Sequence, residues 1–230
     1  MDPSFSRGRG RPKEAVLHRQ RIIAAAIELI RQHGLAGLTM RALARRLGVS
    51  PSALYNHVPS RSMLLAWVQE YVSEQLDVSG FGSLSLRDAL GRWAWSYLWF
   101  LRAQPAMVDL IVAVPVAHTV STTRMYQRIV AGFRAAGWYD RSVIPSLSAI
   151  ETFIFGAALD SAGPEDIYAP EPSALTPELS DTHAAFAELV REAGEPERDL
   201  VFQLGLDALL AGLQLRWGGR GAGGTASSTR

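Results

Sequence analysis

The stretch LTMRALARRLGVSPSALYNHV, residues 38–58, predicts two short helices joined by a tight turn. Thr39 is a favourable N-cap for the first helix, and Gly48 can adopt the positive φ that ends it. Ser50 caps the second helix, and Pro51 occupies its first position, where no backbone N–H is needed. Because the inner face of the pair is apolar, the stretch predicts a helix-turn-helix, whose second helix enters the major groove of DNA.

The outward side of the second helix carries small, uncharged, hydrogen-bonding side chains, which suit base edges and phosphates. These side chains are Ser50, Ser52, Ala53, Tyr55, Asn56 and His57. The neighbouring arginines, which would lie near backbone phosphates, are Arg41, Arg45, Arg46 and Arg61. A plain helical hairpin in a core is the alternative, but most surface helices of this chain carry charge where residues 50–57 carry none. We therefore predict double-stranded DNA as a partner.

Charge is distributed unevenly along the 230 residues, although 23 basic and 22 acidic side chains leave a net charge of only +1. Residues 1–61 hold eleven basic and three acidic side chains and have a net charge of +8. Residues 62–230 have a net charge of −7. A polyanion partner is therefore indicated for the N-terminal segment alone.

A basic arm, RGRGRPK at residues 7–13, precedes the first predicted helix turns. Its core resembles an AT-hook, a thin strand whose arginines enter the narrow, electronegative minor groove of A·T-rich DNA. We predict that Arg9 and Arg11 contact DNA from a flexible arm that spans residues 1–12. A disordered, solubilising tail is the alternative.

Composition and motifs exclude or disfavour several classes of enzyme. Because the chain has no cysteine, it has no disulfide framework, zinc ribbon, iron–sulfur cluster or thiol nucleophile. Its five histidines form no HExxH motif, no serine lies in a GxSxG elbow, and no glycine-rich phosphate loop follows a strand. His118 and Glu151 could pair as an acid and a base, but recognition of a polar ligand or structural hydrogen bonding explains them better. We therefore predict no catalytic residue, no metal and no cofactor, and a protein that is not an enzyme.

Membrane insertion and secretion are not indicated. No apolar run reaches the roughly 18 residues of a membrane span. Residues 1–13 lack the apolar stretch of a secretory signal. We expect a cytoplasmic protein without a membrane partner.

The hydrophobic pattern predicts an all-α protein, because no segment alternates apolar and polar residues as an exposed strand would. We predict an N-terminal three-helix helix-turn-helix DNA-binding domain, residues 13–60, and a larger C-terminal helical domain for ligand binding and dimerisation, residues 61–217. The glycine- and serine-rich tail, residues 218–230, is predicted to be disordered. The predicted helices are 13–33, 40–47, 51–57, 61–77, 85–102, 105–114, 120–136, 141–161, 181–193 and 197–217.

Helix 85–102 is unusually aromatic, and at about 100° per residue Trp93, Tyr97 and Phe100 share one face. Ordinary core packing and an aromatic-lined cavity both explain this face, since Trp and Tyr fill space while keeping a polar group for orienting a ligand. We predict a small aromatic or hydrophobic effector. Its candidate contacts are Trp93, Tyr97, Phe100, Met107, His118, Glu151 and Phe155.

Two late helices, 141–161 and 197–217, are apolar over most of their circumference. Such helices are buried on several sides. Pairing both with symmetry-related copies gives a four-helix dimer bundle, which suits a DNA-binding motif that reads two half-sites. We therefore predict a homodimer through these helices; ordinary core packing is the alternative.

Residues 18–65 resemble the DNA-binding domain of the tetracycline-repressor (TetR) family. The matching string is LTMRALARRLGVSPSALYNHVPSRSMLL, which follows a first helix that ends in HGLAGLT. The family's Leu-Tyr-x-His pattern and the basic residue after it are present as Leu54, Tyr55, His57 and Arg61. The resemblance implies that the DNA-facing residues are Thr39, Arg41, Ser50, Ser52, Ala53, Tyr55, Asn56, His57 and Arg61. Pro51 either only starts the helix or also contacts a base methyl group.

Residues 85–217 resemble the C-terminal domain of the tetracycline repressors themselves. The stretches LSAIETFIFGAALDS and LVFQLGLDALLAGLQL match the dimerisation helices of that subfamily in spacing. The drug-binding pattern does not carry over, because Trp93, Tyr97 and apolar residues near 107–114 stand where the subfamily places polar and histidine ligands for metal-bound tetracycline. We therefore expect a different, more hydrophobic effector and no metal.

Together these features predict a ligand-responsive transcriptional regulator, foremost a repressor. A homodimer would bind a palindromic operator and leave it when a small-molecule effector binds. Helix 61–77 is expected to transmit the conformational change, since it joins the recognition helix to the predicted effector site. The alternatives are a transcriptional activator and a non-specific nucleoid-type or RNA-binding protein, which the basic arm would also suit.

Overall fold

The computed structural model describes residues 17–115, 119–161, 163 and 176–218. Within these residues the chain forms ten α-helices and no β-strand, which confirms the predicted all-α fold. The helices are α1 Arg19–Gly37, α2 Met40–Leu47, α3 Pro51–Tyr55, α4 Arg61–Gln75, α5 Leu86–Ala103, α6 Met107–Ala113, α7 Val120–Ala135, α8 Asp140–Asp160, α9 Pro177–Ala193 and α10 Glu197–Trp217. The predicted contacts Arg9, Arg11 and His118 lie outside the described residues.

The described residues divide into two compact units between Leu64 and Leu65. The head unit contains α1, α2, α3 and the first residues of α4. The body unit contains the rest of α4 and the helices from α5 to α10. The domain boundaries drawn from the sequence, 13–60 and 61–217, remain predictions.

Both ends of α1 differ from the prediction. His18 caps the helix, because its Nδ1 accepts a hydrogen bond from the backbone N–H of Arg21 at 3.3 Å. The helix therefore begins at Arg19 and not at residue 13. The predicted end at residue 33 is followed by Gly34, whose φ of 67° does interrupt the helical backbone. A further helical turn follows this kink, so that α1 runs on to Gly37.

The helix-turn-helix is held by the local signals that predicted it. Thr39 Oγ1 accepts a hydrogen bond from Ala42 N at 3.1 Å, and Gly48 ends α2 with a φ of 73°. Ser50 caps α3, which begins at the following proline. α3 is shorter than predicted and ends at Tyr55 instead of residue 57.

The head unit is built around a compact apolar core. α1 packs on α2, and α2 packs on α3. The fully buried side chains between them are Ile22, Ala26, Ile30, Leu38, Leu43, Leu54 and Val58. Burial of each large aliphatic side chain stabilises the unit by about 1.5–3 kcal/mol, which fixes the position of the short α3 despite its length.

In the body unit α8 is the central helix, since α5, α7 and α10 all pack on it. The fully buried side chains include Trp93, Leu98, Leu101, Met107, Ile129, Phe133, Ile150 and Ile154. α5 and α10 are joined by the ion pairs Arg87–Asp207 and Arg102–Asp199. A hydrogen bond of 2.8 Å from Trp95 Nε1 to Gln203 Oε1 adds to them. Asp199, Gln203 and Asp207 of α10 are thus directed toward α5.

α9 begins earlier than predicted, at Pro177 and not at residue 181. Pro177 is favourable in the first turn of the helix, where no backbone N–H is needed. The Oγ1 of Thr176 accepts a hydrogen bond from Leu179 N at 3.4 Å and caps this turn.

One described helix, α8, is long and apolar enough to cross a membrane when judged by length and composition alone. A single helix of this kind is weak evidence for a membrane span, because the core helix of a soluble protein passes the same test. α8 packs against three other helices of the body unit, as a core helix does.

Candidate nucleic-acid interface and effector site

The orientation of α3 is set by buried side chains on one side of it. Leu54 and Val58 are fully buried. At the start of the helix, Ser50 Oγ accepts a hydrogen bond from Ala53 N at 3.1 Å and lies 2.9 Å from Ser52 Oγ. The helix is therefore anchored from one side, and its other side faces solvent.

The side chains that were predicted to contact DNA lie largely on this exposed side. Pro51, Ser52, Tyr55, Asn56 and His57 are exposed, and Ala53 is half-buried. The Tyr55 ring is prominent, since the residue is 46% exposed despite its size. Hydroxyl, amide and imidazole groups can exchange hydrogen bonds with base edges, and an asparagine amide can form two such bonds with adenine in the major groove.

The arginines near α3 differ in how far they are engaged within the head unit. Arg41 and Arg45 on α2 are exposed and have no side-chain hydrogen bond or ion pair to any described residue. Arg46 is drawn toward α1, where it lies 3.8 Å from Glu28 and donates to Gln32 Oε1 at 3.3 Å. Arg41 and Arg45 are therefore the two arginines best placed to meet phosphates.

Arg61 has a structural role that the sequence did not reveal. Its Nε donates to the carbonyl oxygen of Leu38 at 3.0 Å, and its Nη2 donates to that of Leu35 at 3.1 Å. These carbonyls stand at the end of α1, where a cation is favourable because the last carbonyls of a helix lack intrahelical partners. Its predicted contact with DNA remains a prediction, but the guanidinium is already committed to joining α4 to α1. Thr39 is likewise exposed, with its Oγ1 engaged in capping α2.

Three of the predicted effector contacts form an aromatic cluster between α5 and α8. The Trp93 and Tyr97 rings are one helical turn apart, with centroids 5.7 Å from each other. The Phe155 ring meets Tyr97 edge-on at 5.6 Å. Trp93 and Tyr97 are buried, and the Trp93 Nε1 atom has no hydrogen-bond partner among the described residues.

A carboxylate belongs to the same cluster. Tyr126, on α7, donates a hydrogen bond of 2.5 Å to Glu151 Oε1. Burial raises the pKa of Glu151 above its ordinary value of 4.5, and the hydrogen bond from Tyr126 partly offsets this. Burial also raises the pKa of Tyr97, and the nearby charge of Glu151 raises it further. The pKa values of Tyr97, Tyr126 and Glu151 therefore depend on one another.

Sequence reasoning missed Tyr126, because nothing local to α7 marks it: its partner is 25 residues away in the chain. The remaining predicted contacts are less closely associated with the cluster. Met107 is fully buried on α6, and Phe100 is half-buried on α5 without a ring contact to any described residue. Among the described residues, no group of three or more His, Cys, Asp or Glu side chains is placed to hold a metal ion.

The helices that were predicted to form a dimer carry two uncharged exposed stripes, which we call the association stripes. On α8 the stripe consists of Ile144, Ser148, Thr152, Gly156 and Leu159. On α10 it consists of Val201, Leu204, Ala208, Ala211, Gly212 and Leu215. Large apolar side chains are exposed within them: Ile144 is 62% exposed and Leu215 is 90% exposed. Contiguous apolar surface of this kind marks an interaction site.

A capped helix-turn-helix in an all-helical chain defines the class of helix-turn-helix DNA-binding proteins. Comparison with known families specifies the class further. Residues 22–67 match the family described as "Bacterial regulatory proteins, tetR family", and residues 82–216 match "Tetracyclin repressor-like, C-terminal domain". The chain belongs to the tetR family of bacterial transcriptional regulators, which confirms the predicted family and fold class. It is therefore a DNA-binding transcriptional regulator, and regulators of this family are generally not enzymes.

The chain is similar to curated repressors over part of their length. It is 26% identical over 139 residues to the HTH-type transcriptional repressor DrrR1 of Streptomyces coeruleorubidus, covering 60% of this chain and 51% of that protein. It is 45% identical over 51 residues to the class D tetracycline repressor protein of Escherichia coli, covering 22% of this chain and 23% of that protein. The matches thus span about half of the first relative and about a quarter of the second.

Among solved structures, the chain is similar in fold to the TetR family protein ActR of Streptomyces coelicolor in complex with (S)-DNPA. The TM-score is 0.67 at 23% identity, and the match covers 87% of this chain and 98% of ActR. ActR in complex with actinorhodin gives the same TM-score at 21% identity, covering 89% of this chain and 98% of that chain. At these identities the comparison supports the fold.

Proposed function

We propose that this regulator is a homodimeric repressor that binds a palindromic operator and is released from it by a small aromatic or hydrophobic effector. The observation that carries the proposal is the exposed side of α3. It presents hydroxyl, amide and imidazole groups on a helix that is fixed from behind by the buried Leu54 and Val58. A surface that is rigid, uncharged and rich in hydrogen-bonding groups is suited to reading base edges.

The arginines near α3 support docking of this helix beside the phosphate backbone of DNA. Arg41 and Arg45 are exposed on the preceding helix, and they would position α3 by contacting phosphates on either side of the bases that it reads. Arg9 and Arg11 of the N-terminal arm would add minor-groove contacts beside the half-site.

The association stripes support a homodimer through α8 and α10. The charged side chains Asp199 and Asp207 of α10 pair with arginines of α5, which leaves the stripe uncharged. Two copies of each stripe would form a four-helix interface with small residues at Gly156, Ala208 and Gly212, where helices can approach closely. A two-fold symmetric dimer would present its two head units to a two-fold symmetric operator.

The aromatic cluster of the body unit supports an effector site. It combines the aromatic rings of Trp93, Tyr97 and Phe155 with the polar pair of Tyr126 and Glu151. Ligand sites are commonly built in this way, from apolar walls and a few polar groups. ActR, which shares the fold, has been solved in complex with (S)-DNPA and with actinorhodin.

α4 is the proposed lever between the two activities, because this single helix begins in the head unit and ends in the body unit. An effector that binds more tightly to the conformation that does not fit the operator would release the DNA. By linkage, operator DNA must weaken effector binding by the same factor. The protein would act in the cytoplasm, where its operator is.

Selection of bound duplexes from a random DNA library by the full-length protein tests the proposal. We expect an inverted repeat whose half-sites are about one helical turn or more apart, bound about a thousandfold or more above a scrambled duplex. Sedimentation of the protein–DNA complex should show two chains per operator. Recovery of no common sequence, with equal affinity for every duplex, would instead establish a non-specific nucleoid-type protein.

A further inference from the structure

Glu151 is half-buried in the body unit, among aromatic side chains where a carboxylate is unusual. It lies on α8 with Phe155 one turn away, and α5 contributes Tyr97, whose ring meets Phe155 at 5.6 Å. Its carboxylate accepts a hydrogen bond from Tyr126 on α7. A buried carboxylate is costly unless it is paired, because burial removes the water that stabilises its charge.

The groups that face Glu151 do not supply a positive charge. Tyr97 from α5 and Tyr126 from α7 are the titratable groups that interact with it, and both are neutral phenols. Among the described residues, no Arg, Lys or His side chain forms an ion pair with Glu151. The two arginine–aspartate pairs that join α5 to α10 involve other carboxylates. The cluster therefore has a negative group and no matching positive one.

The aromatic rings around this carboxylate are themselves suited to a cation. The faces of Trp and Tyr rings carry partial negative charge and attract an ammonium group, most strongly where water is excluded. Trp93 and Tyr97 contribute such rings. Tyr126 lies next to Glu151, and Phe155 lies next to Tyr97. A carboxylate combined with several aromatic rings is a recognition site for an organic ammonium ion.

A second polar group of the cluster is buried and unpaired. Among the described residues, none forms a hydrogen bond with the Nε1 atom of Trp93. Buried polar atoms in proteins are nearly always paired, so an unpaired donor on a ring that contacts Tyr97 indicates a group that a ligand completes. A ligand oxygen would accept from Trp93, while a ligand cation would pair with Glu151.

We propose that the effector of this regulator is an organic cation, either a protonated alkylamine that carries an aromatic ring or a quaternary ammonium compound, whose positive centre pairs with Glu151 within the rings of Tyr97, Tyr126 and Phe155. The inference rests on the proposed function and names the chemical class of its effector. Neutral aromatic compounds would gain the ring contacts alone, and anionic compounds would be repelled by Glu151.

Three probes that share one ring system test this directly: (biphenylmethyl)trimethylammonium, biphenylmethanol and biphenylacetate. Their binding to the full-length protein is measured by titration calorimetry near neutral pH. We expect the cation to bind about tenfold or more tightly than the alcohol, and the acetate to bind most weakly. In Glu151→Gln, which retains the hydrogen bond to Tyr126, the advantage of the cation over the alcohol should disappear.

Glu192→Gln is the matched control, because it removes one negative charge from an exposed position on α9 of the same unit. It should retain the full preference for the cation. Circular dichroism and operator binding establish that each variant is folded. Equal or tighter binding of the alcohol or the acetate, an unchanged preference in Glu151→Gln, or no binding of any probe would each overturn the inference.

The same probes, added to the protein–operator complex, separate this inference from the proposed function. Release of the operator by the neutral alcohol or by the acetate, with none by the cation, would leave the repressor intact and remove only the cationic effector. Tight, Glu151-dependent binding of the cation with no release of the operator would support the cation site and contradict its role in regulation.

Discussion

The head unit and the body unit carry their candidate functional groups in opposite environments. On α3 the polar groups are exposed, and a partner must come to them. In the body unit, Trp93 Nε1 is buried without a hydrogen-bond partner among the described residues, and the half-buried Glu151 accepts a hydrogen bond from Tyr126. Substitutions on the exposed face of α3 should therefore change DNA binding without changing stability. Substitutions in the aromatic cluster should change ligand binding and stability together.

The association stripe of α10 is exposed, as the outward face of α3 is. A substitution in this stripe should have the largest effect on operator binding. We expect Gly212→Glu to convert the dimer to a monomer and to lower operator affinity by more than about 100-fold, because the two-fold interface would bury two unpaired carboxylates. A Cβ atom at Gly212 meets no neighbour within its own subunit, so the fold should be retained. Sedimentation equilibrium and operator anisotropy measure the two changes.

Gly91→Glu is the control for that substitution. Gly91 is also a helical glycine with open space beside it, but it lies on α5, which carries neither association stripe. This variant should remain a dimer. A Gly212→Glu protein that is still dimeric would show that α10 is not part of the interface.

Two arginines of the head unit should differ in their roles: Arg61 should contribute to stability and Arg45 to DNA binding. We expect Arg61→Ala to lower the free energy of unfolding by about 1–2 kcal/mol, because it removes two charge-assisted hydrogen bonds to the end of α1. Arg45→Ala should leave that free energy within about 0.5 kcal/mol of the wild type. It should weaken binding to all duplexes alike and reduce the slope of log affinity against log salt by about 1 per subunit.

Urea unfolding and salt titrations of DNA binding distinguish these two arginines. If Arg61→Ala proved as stable as the wild type and reduced the salt slope, then Arg61 would contact phosphate as the sequence suggested. Its hydrogen bonds to Leu35 and Leu38 would then not persist in the complex.

Replacement of Glu151 should have the smallest effect, and it should stabilise the protein instead of destabilising it. Because burial raises the pKa of Glu151 in the folded protein, the unfolded chain ionises first as pH rises above about 4.5. Stability is therefore lost as pH rises through the pKa of the folded state. Glu151→Gln should melt at a higher temperature than the wild type at neutral pH, and the difference should vanish toward pH 4 or below.

Melting curves across this range, recorded by circular dichroism without ligand, provide the measurement. Glu192→Gln should follow the wild type at every pH. A Glu151→Gln protein that melts at a lower temperature at neutral pH would mean that the ionised carboxylate stabilises the free protein.

Prediction from sequence succeeded where the determinants are local. The ends of α2 depend on Thr39 and Gly48, which lie at the ends themselves, and the predicted bounds of 40–47 agree with the structure. Where a side chain has a distant partner, the sequence offered no signal. Arg61 binds carbonyls 23 and 26 residues away, and Tyr126 meets Glu151 across 25 residues. These contacts depend on how helices pack, which capping residues and hydrophobic periodicity do not specify.

The central claim is that the exposed face of α3 reads base edges, and Asn56→Ala tests it most directly. Its affinity is compared with that of the wild type, by fluorescence anisotropy at one salt concentration, on the selected operator and on a scrambled duplex. We predict a loss of about 1–3 kcal/mol, about 5- to 150-fold, on the operator and less than about a twofold change on the scrambled duplex. An equal loss on both duplexes would contradict base reading at this position and would leave Asn56 a phosphate contact.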